Sequence, residues 1–406
     1  MNKKRKAGTA FTAIVPAVAT LVAAIAGSGP TAAQTVKVGV ILTYSGPQAS
    51  LGEQIDKGLS LYIKEHEKEL PAGVKLEVVK RDDGGPNPDV AKRLAQELLT
   101  RDHVQMLTGV VWTPNAAAMA PLATQAKVPL VVMNASGAAL TRMSPYMVRV
   151  SFTQWQTALP IGTWAGKQGV KKAYTAVSDF VPGHDAEAAF IKGYRDSGGE
   201  VIGSVRVPLA NPDFSPFMQR IKDARPDVLY IFVPSGAQAT AVMKAYADVG
   251  LRAAGITLVG PMDLVPDYEL PNMGDAPLGL VTSGNYSSAA TRPQNKAFVA
   301  AWKKAYGEQS IPDFMAVGGW DGMAAIFDVI KQTKGNFTGD DAMGILAQWK
   351  NADSPRGTIS IDPATRNIVQ NIYIRKTERV DGQLANVEFE TIPNVKDPWA
   401  EVNPPK

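Results

Sequence analysis

The stretch TVKVGVILTYSGPQASLGEQIDKGLSLYIKEHEKEL, residues 35–70, runs from Val, Ile and Leu through a turn of Ser, Gly and Pro into apolar residues spaced every three or four positions. Its first part has the composition of a buried strand, and its last part has the period of an amphipathic helix. The same alternation follows in VKLEVVKRDD (74–83), PDVAKRLAQELLTRD (88–102), VQMLTGVV (104–111), TPNAAAMAPLATQAK (113–127) and VPLVVMN (128–134). Strands separated by helices of 10 to 20 residues call for right-handed crossovers and a parallel sheet.

A second series of this kind starts near Val150. It runs through strand-like KKAYTAVSD (171–179), EVIGSVRVP (200–208), PDVLYIFVP (226–234) and AGITLVGP (254–261), with helical stretches between them. Two consecutive α/β units are therefore expected, with no short-period repeat. Residues 293–349 read as largely helical, and GTISID (357–362), NIVQNIYIRKTERVDG (367–382) and QLANVEFETI (383–392) as strands. That order suggests that the chain returns to one unit and then to the other, which the pattern alone leaves open.

Residues 1–33 read as a cleaved secretory signal peptide. Lys3, Lys4, Arg5 and Lys6 precede an apolar run, and Thr31 and Ala33 stand at the small-residue positions of a cleavage site. The chain has 42 Lys and Arg against 38 Asp and Glu, and the four excess positives are those leader residues. The remainder is electrically balanced, with no basic field for nucleic acid or an anionic membrane. There is no cysteine. A soluble periplasmic protein stabilised by its core alone is the expectation.

In open parallel sheets, ligands sit beyond the carboxyl ends of the strands. The turns there are TYSGPQASLG (43–52), VVWTPNAAAM (110–119) and MNASGAAL (133–140) in the first unit. In the second they are SDFVPGHD (178–185), VPSGAQA (233–239) and GPMDLVPD (260–267). Thr113 and Ser136, supported by Asn134 and Ser45, offer hydroxyl and amide groups beside helix starts, which can seat a carboxylate. Each also fits a plain helix cap. Tyr44, Trp112 and Phe180 can wall a pocket for an apolar or aromatic ligand. Asp179 and Asp263 can accept from a ligand hydroxyl or ammonium, or else cap a helix and sit in a solvated loop.

Enzyme signatures are missing. There is no phosphate-binding loop, dinucleotide fingerprint, HExxH or G-x-S-x-G, and His66, His103 and His184 lack a nucleophile or metal set. No catalytic residue, metal or cofactor is expected.

The leader, the opening residues 36–61, the segment VPLVVMNASGAALT (128–141), and the stretches DFMAVGGWDGMAAI (313–326) and SPRGTISIDPATRNIVQNIYIRK (354–376) resemble the leucine/isoleucine/valine-type periplasmic binding proteins of ABC importers. The resemblance implies the type I periplasmic-binding-protein fold: two doubly wound parallel-sheet lobes joined by a three-strand hinge. It assigns residues 34–150 and 281–356 to lobe 1, and 151–280 and 357–406 to lobe 2. It also implies capture of a branched-chain or related amino acid between the lobes, by a monomer that delivers it to an ABC permease of the inner membrane. The alternatives are an aromatic or other non-amino carboxylate as ligand, or a ligand-sensing role.

Carried over by position, the carboxylate seat is Thr113, Ala135, Ser136 and Gly137. Amino-acid binders usually have a hydroxyl residue where Gly137 stands, so only its backbone N–H can serve. Their acidic partner for the ammonium aligns with Met262, one position before Asp263, and Leu51 replaces a frequent aromatic. These departures place a non-amino carboxylate close behind the amino-acid reading.

Overall fold

The computed structural model describes residues 7–10, 34–169 and 171–404. The proposed signal peptide and its cleavage site fall almost entirely outside the described residues. The first lobe begins with β1 (Gln34–Leu42), α1 (Ala49–His66), β2 (Val74–Asp82), α2 (Pro88–Thr100), β3 (Met106–Gly109), α3 (Thr113–Ala126), β4 (Leu130–Val132) and β5 (Met147–Arg149). Its five strands are parallel in the order β2-β1-β3-β4-β5. The order reverses at β1, so the turns after β1 and β3 open on the same side, where an α/β sheet takes its ligand.

The second lobe contains α4 (Gln154–Lys167), β6 (Lys172–Ser178), α5 (Val181–Asp196), β7 (Glu200–Val207), α6 (Ser215–Ala224), β8 (Val228–Phe232), α7 (Ala237–Asp248), β9 (Thr257–Pro261) and β10 (Val281–Gly284). The chain then forms α8 (Pro293–Tyr306), α9 (Phe314–Thr333), α10 (Gly339–Leu346), β11 (Lys350–Asn351), β12 (Ile359–Ile361), β13 (Ile368–Val380), β14 (Gln383–Val395) and α11 (Pro398–Val402). Strands β7-β6-β8-β9-β10 run parallel. β13 closes this sheet antiparallel to β10 and carries β14 and β12 as further antiparallel partners.

Buried apolar residues of β1 to β5 share one core with Phe298, Trp302 and Phe327 of the returning helices. Helix α9 packs directly on α1, and two glycines make that approach possible. A Cβ at Gly58 would lie 1.9 Å from the Ala316 carbonyl oxygen, and one at Gly319 would lie 2.2 Å from that of Ile55. The second sheet is covered on both faces, one core holding Leu229, Ile231 and Leu258 and the other Tyr230, Phe232 and Val259. Such two-sided cover explains why PDVLYIFVP reads as a continuous apolar run.

The exchange points between lobes differ from the expected 281 and 357. β10 belongs to the second sheet, so the chain leaves lobe 2 after Gly284. β12 and Ile368 pack in the first core, while Ile374 packs in the second, so the return runs along β13. Hydrophobic period marks an element but not the sheet it joins, and long strands cross the boundary without a break.

One buried arginine ties the three crossings together. Arg356 donates to the Ser151 carbonyl (2.9 Å) and to Gln370 Oε1 (2.7 Å), and pairs with Asp321 at 2.8 Å. Asn285 donates to the same Gln370 oxygen at 2.9 Å. Ser151, Asn285 and Gln370 stand one on each crossing segment, and all are buried.

Candidate functional site

The carboxyl ends of both sheets meet at a cleft lined by residues of the two lobes. Trp112, Thr113, Asn134 and Ser136 reach it from the first lobe, and Phe180, Phe232, Ser235 and Asp263 from the second. Leu51, Phe314 and Met315 add apolar surface.

Thr113 begins α3 after a strained turn. Gly109 and Val110 both have positive φ, 95° and 65°, a conformation that a β-branched residue rarely adopts. Backbone bonds hold Val110 there, its N–H donating to Ile41 O (2.8 Å) and its carbonyl accepting from Ala135 N–H (3.1 Å). The turn aims Trp112 and Thr113 into the cleft. Trp112 is fixed by a relay: its indole N–H donates to Thr43 Oγ1 (2.9 Å), Thr43 donates to Asp83 Oδ1 (2.7 Å), and Asn115 donates to Asp83 Oδ2 (2.8 Å). Burial pushes the Asp83 carboxyl up, while the Thr43, Gly85 and Asn115 donors pull it back down.

Thr113 Oγ1 accepts the Gly137 N–H at 3.0 Å. That bond takes one of the hydroxyl's two lone pairs, so its proton points away from Gly137. It also overturns the expected role of the Gly137 N–H, which is already committed. The glycine has a steric reason: a Cβ there would lie 2.5 Å from Thr113 Cγ2. The space a side chain at position 137 would need is filled by Thr113.

Ser136 is buried and its Oγ accepts from Gln154 Nε2 at 3.3 Å. Asn134 donates to Val111 O at 3.0 Å, and its buried Oδ1 has no protein partner. Ala135 is brought near but does not line the cleft; its side chain is buried in the first core and its N–H is used by Val110. Ser45 is not part of the site. Asp82 collects the Tyr44 and Gly84 N–H groups at 2.8 and 2.9 Å and also bonds Ser45, which folds this turn toward β2 and leaves Ser45 exposed. Tyr44 likewise turns away, donating to Asp56 at 2.8 Å.

On the second lobe, Phe180 stacks on Phe232 with centroids 6.0 Å apart and planes at 21°. Asp179 is outside the cleft, paired with His184 at 2.7 Å. Asp263 is buried, and Gln154 Nε2 donates to its Oδ2 at 3.4 Å. Burial pushes its pKa up to about 7, against the lowering pull of the Gln154 donor and of Arg375. Ser136 and Asp263 bond the same amide nitrogen, so the hydroxyl and the carboxyl are close neighbours. Two further bonds join the lobes: Asp185 accepts the Ala138 N–H at 2.9 Å, and Ser50 Oγ lies 3.2 Å from the Tyr268 hydroxyl.

Sequence reasoning missed Phe232, Ser235, Phe314, Met315 and Gln154 as contributors. Ser235 lies in a turn already singled out and Phe232 directly precedes it, so the signal was present. Phe314 and Met315 open α9, which returns from another part of the chain, and no local pattern announces where they land. Among the described residues, no cluster of His, Cys, Asp and Glu could hold a metal ion.

A family model for periplasmic binding proteins matches residues 35–383. The Leu/Ile/Val-binding protein homolog 6 of Brucella melitensis biotype 1 is 43% identical over 369 residues, covering 90% of this chain and 94% of the relative. A solute-binding protein of an ABC transporter from Rhodopseudomonas palustris BisB5, solved in complex with 3,4-dihydroxybenzoic acid, is 51% identical with a TM-score of 0.86, covering 90% of this chain and 99% of that one. Another from R. palustris, solved with 4-hydroxybenzoate, is 42% identical with a TM-score of 0.87, covering 91% and 100%. Two α/β lobes around a cleft walled by rings and hydroxyls thus accompany a family match along most of the sequence, and the chain belongs to the periplasmic binding proteins as a solute-binding component of an ABC transporter.

Proposed function

We propose that this protein captures an aromatic carboxylate, of the hydroxylated benzoate class, in the cleft between its lobes and presents it to an ABC permease. The observation that carries this reading is the make-up of the cleft. Trp112, Phe180, Phe232 and Phe314 line the same cleft as two hydroxyls, those of Thr113 and Ser136, each of which already accepts one N–H. Relatives at 51% and 42% identity hold 3,4-dihydroxybenzoate and 4-hydroxybenzoate, ligands with the same two requirements. The site residues in this reading are Trp112, Thr113, Asn134, Ser136, Phe180 and Asp263. The chain is exported by its leader to the periplasm and works as a monomer.

The mechanism follows from the division of the site. Neither lobe encloses a planar acid alone, so ligand contacts are complete only when the lobes meet, and binding shifts the population toward the joined form. The acid's charge is met by O–H donors, and its ring by apolar walls. Asp263 beside Ser136 repels the acid when ionised and donates to it when protonated.

A second reading, a branched-chain amino acid, rests on that same Asp263, whose ionised form would accept an α-ammonium. Thermal unfolding with 4-hydroxybenzoate, 3,4-dihydroxybenzoate and leucine separates the two, because a true ligand stabilises by mass action. The aromatic acids are expected to raise the melting temperature at submillimolar concentration, with leucine inert. A shift with leucine and none with either acid would overturn the proposal.

A further inference from the structure

Gln154 is the first residue of α4, held by a capping box in which Thr153 accepts the Gln156 N–H at 3.2 Å and Gln156 Oε1 accepts the Thr153 N–H at 3.1 Å. Its side chain is fully buried at the junction of the lobes and does not line the cleft. Its amide orientation is fixed from both ends. Thr157 Oγ1, 3.2 Å from the Gln154 carbonyl oxygen, also lies 3.3 Å from its amide oxygen, and the amide nitrogen faces Asp263 Oδ2 at 3.4 Å and Ser136 Oγ at 3.3 Å.

A serine hydroxyl donates one proton and accepts at its lone pairs. With an N–H directed at Ser136 Oγ, the serine proton must point elsewhere, and the cleft is the side that Ser136 lines. Without that N–H the hydroxyl is free to turn and accept. Thr113 is conditioned in the same way, by the Gly137 N–H. Each hydroxyl thereby already accepts one N–H and turns its proton away from it, a bias that favours a carboxylate over an amide NH₂.

We propose that Gln154 is a positioning residue that sets the cleft's preference for an anionic head group over a neutral one, acting through the Ser136 hydroxyl. The inference rests on the reading that Thr113 and Ser136 seat an acid, and it adds the residue that enforces this choice. Gln154 touches no ligand in this account. It sets which way a proton points on the residue that does.

The test is calorimetric titration of the full mature protein with 4-hydroxybenzoate and with 4-hydroxybenzamide, which share the ring and differ in head-group charge. The wild type should favour the acid strongly. Gln154→Met should lose about tenfold in affinity for the acid and hold or gain affinity for the amide, whose NH₂ finds a freed acceptor on Ser136. In a Ser136→Ala background, Gln154→Met should leave the acid-to-amide ratio nearly unchanged, because the hydroxyl it acts through is gone. Gln154→Glu keeps the shape and replaces the donor by an acceptor, so it should depress acid binding at least as much, and it decides the matter if the methionine variant does not fold. Equal weakening of both compounds, or an unaltered ratio, would overturn the role of Gln154 while leaving the acid-binding site standing. A wild type that binds neither compound would overturn the acid-binding reading itself, and this inference with it.

Discussion

The first lobe meets the cleft with the hydroxyls of Thr113 and Ser136, each held by a neighbouring N–H, beside Trp112 and Phe314, whereas the second meets it with Phe180, Phe232, Ser235 and one carboxyl, Asp263, whose pKa burial raises to about 7. The locked side owes its geometry to backbone around Thr113, where Val110 is held at φ 65°, Gly137 lies against Thr113 and Ala135 is bonded to Val110, and at Ser136 to the Gln154 side chain. The adjustable side owes its behaviour to burial. A rigid half can define which head group is accepted, and a titratable half can modulate how strongly, without either changing shape.

The locked half should dominate affinity. Replacing Thr113 by Val together with Ser136 by Ala removes both charge-directed donors, and affinity for 4-hydroxybenzoate should fall by about a hundredfold or more, as read by calorimetry. A loss of under about threefold would erase the contrast between the lobes. Phe180→Ala takes a ring from the other wall and should cost about tenfold, with benzoate and its hydroxylated forms affected alike.

Asp263→Asn sharpens the comparison through stability. The folded chain keeps the Asp263 proton to a pH of about 7, and the unfolded chain releases it near 3.8, so this group's contribution is lost as pH rises between those values. The variant should therefore melt above the wild type at pH 8 and differ little at pH 4. Gly58→Ala tests only the scaffold. It forces α1 from α9 and should destabilise by about 1–3 kcal/mol in urea unfolding, with ligand affinity nearly intact.

The fold was legible because period-2 and period-3.6 runs alternate so regularly from residue 35 to residue 261 that few other architectures fit. The lobe exchanges were less legible. β10 and β13 look like any other strands, and only pairing reveals that they carry the crossings. In the cleft, Trp112, Thr113, Asn134, Ser136, Phe180 and Asp263 were readable because they sit where parallel strands end, and strand ends converge. Ser45 met the same rule and failed it, since Asp82 at the end of the adjacent strand captures its turn. Gln154 and Phe314 were hidden, because each stands at a helix start that local pattern places nowhere in particular, Phe314 lining the cleft and Gln154 lying behind Ser136 and Asp263.

The central claim is that a carboxylate without an ammonium sits beside a protonated Asp263. Calorimetric titration with 4-hydroxybenzoate at pH 6 and pH 8, each in two buffers of different ionisation enthalpy, tests it directly. With the group's pKa at about 7, binding should weaken on the order of tenfold between those pH values and should take up protons at pH 8. Binding of the acid that strengthens toward pH 8, or proceeds with proton release, would contradict the account.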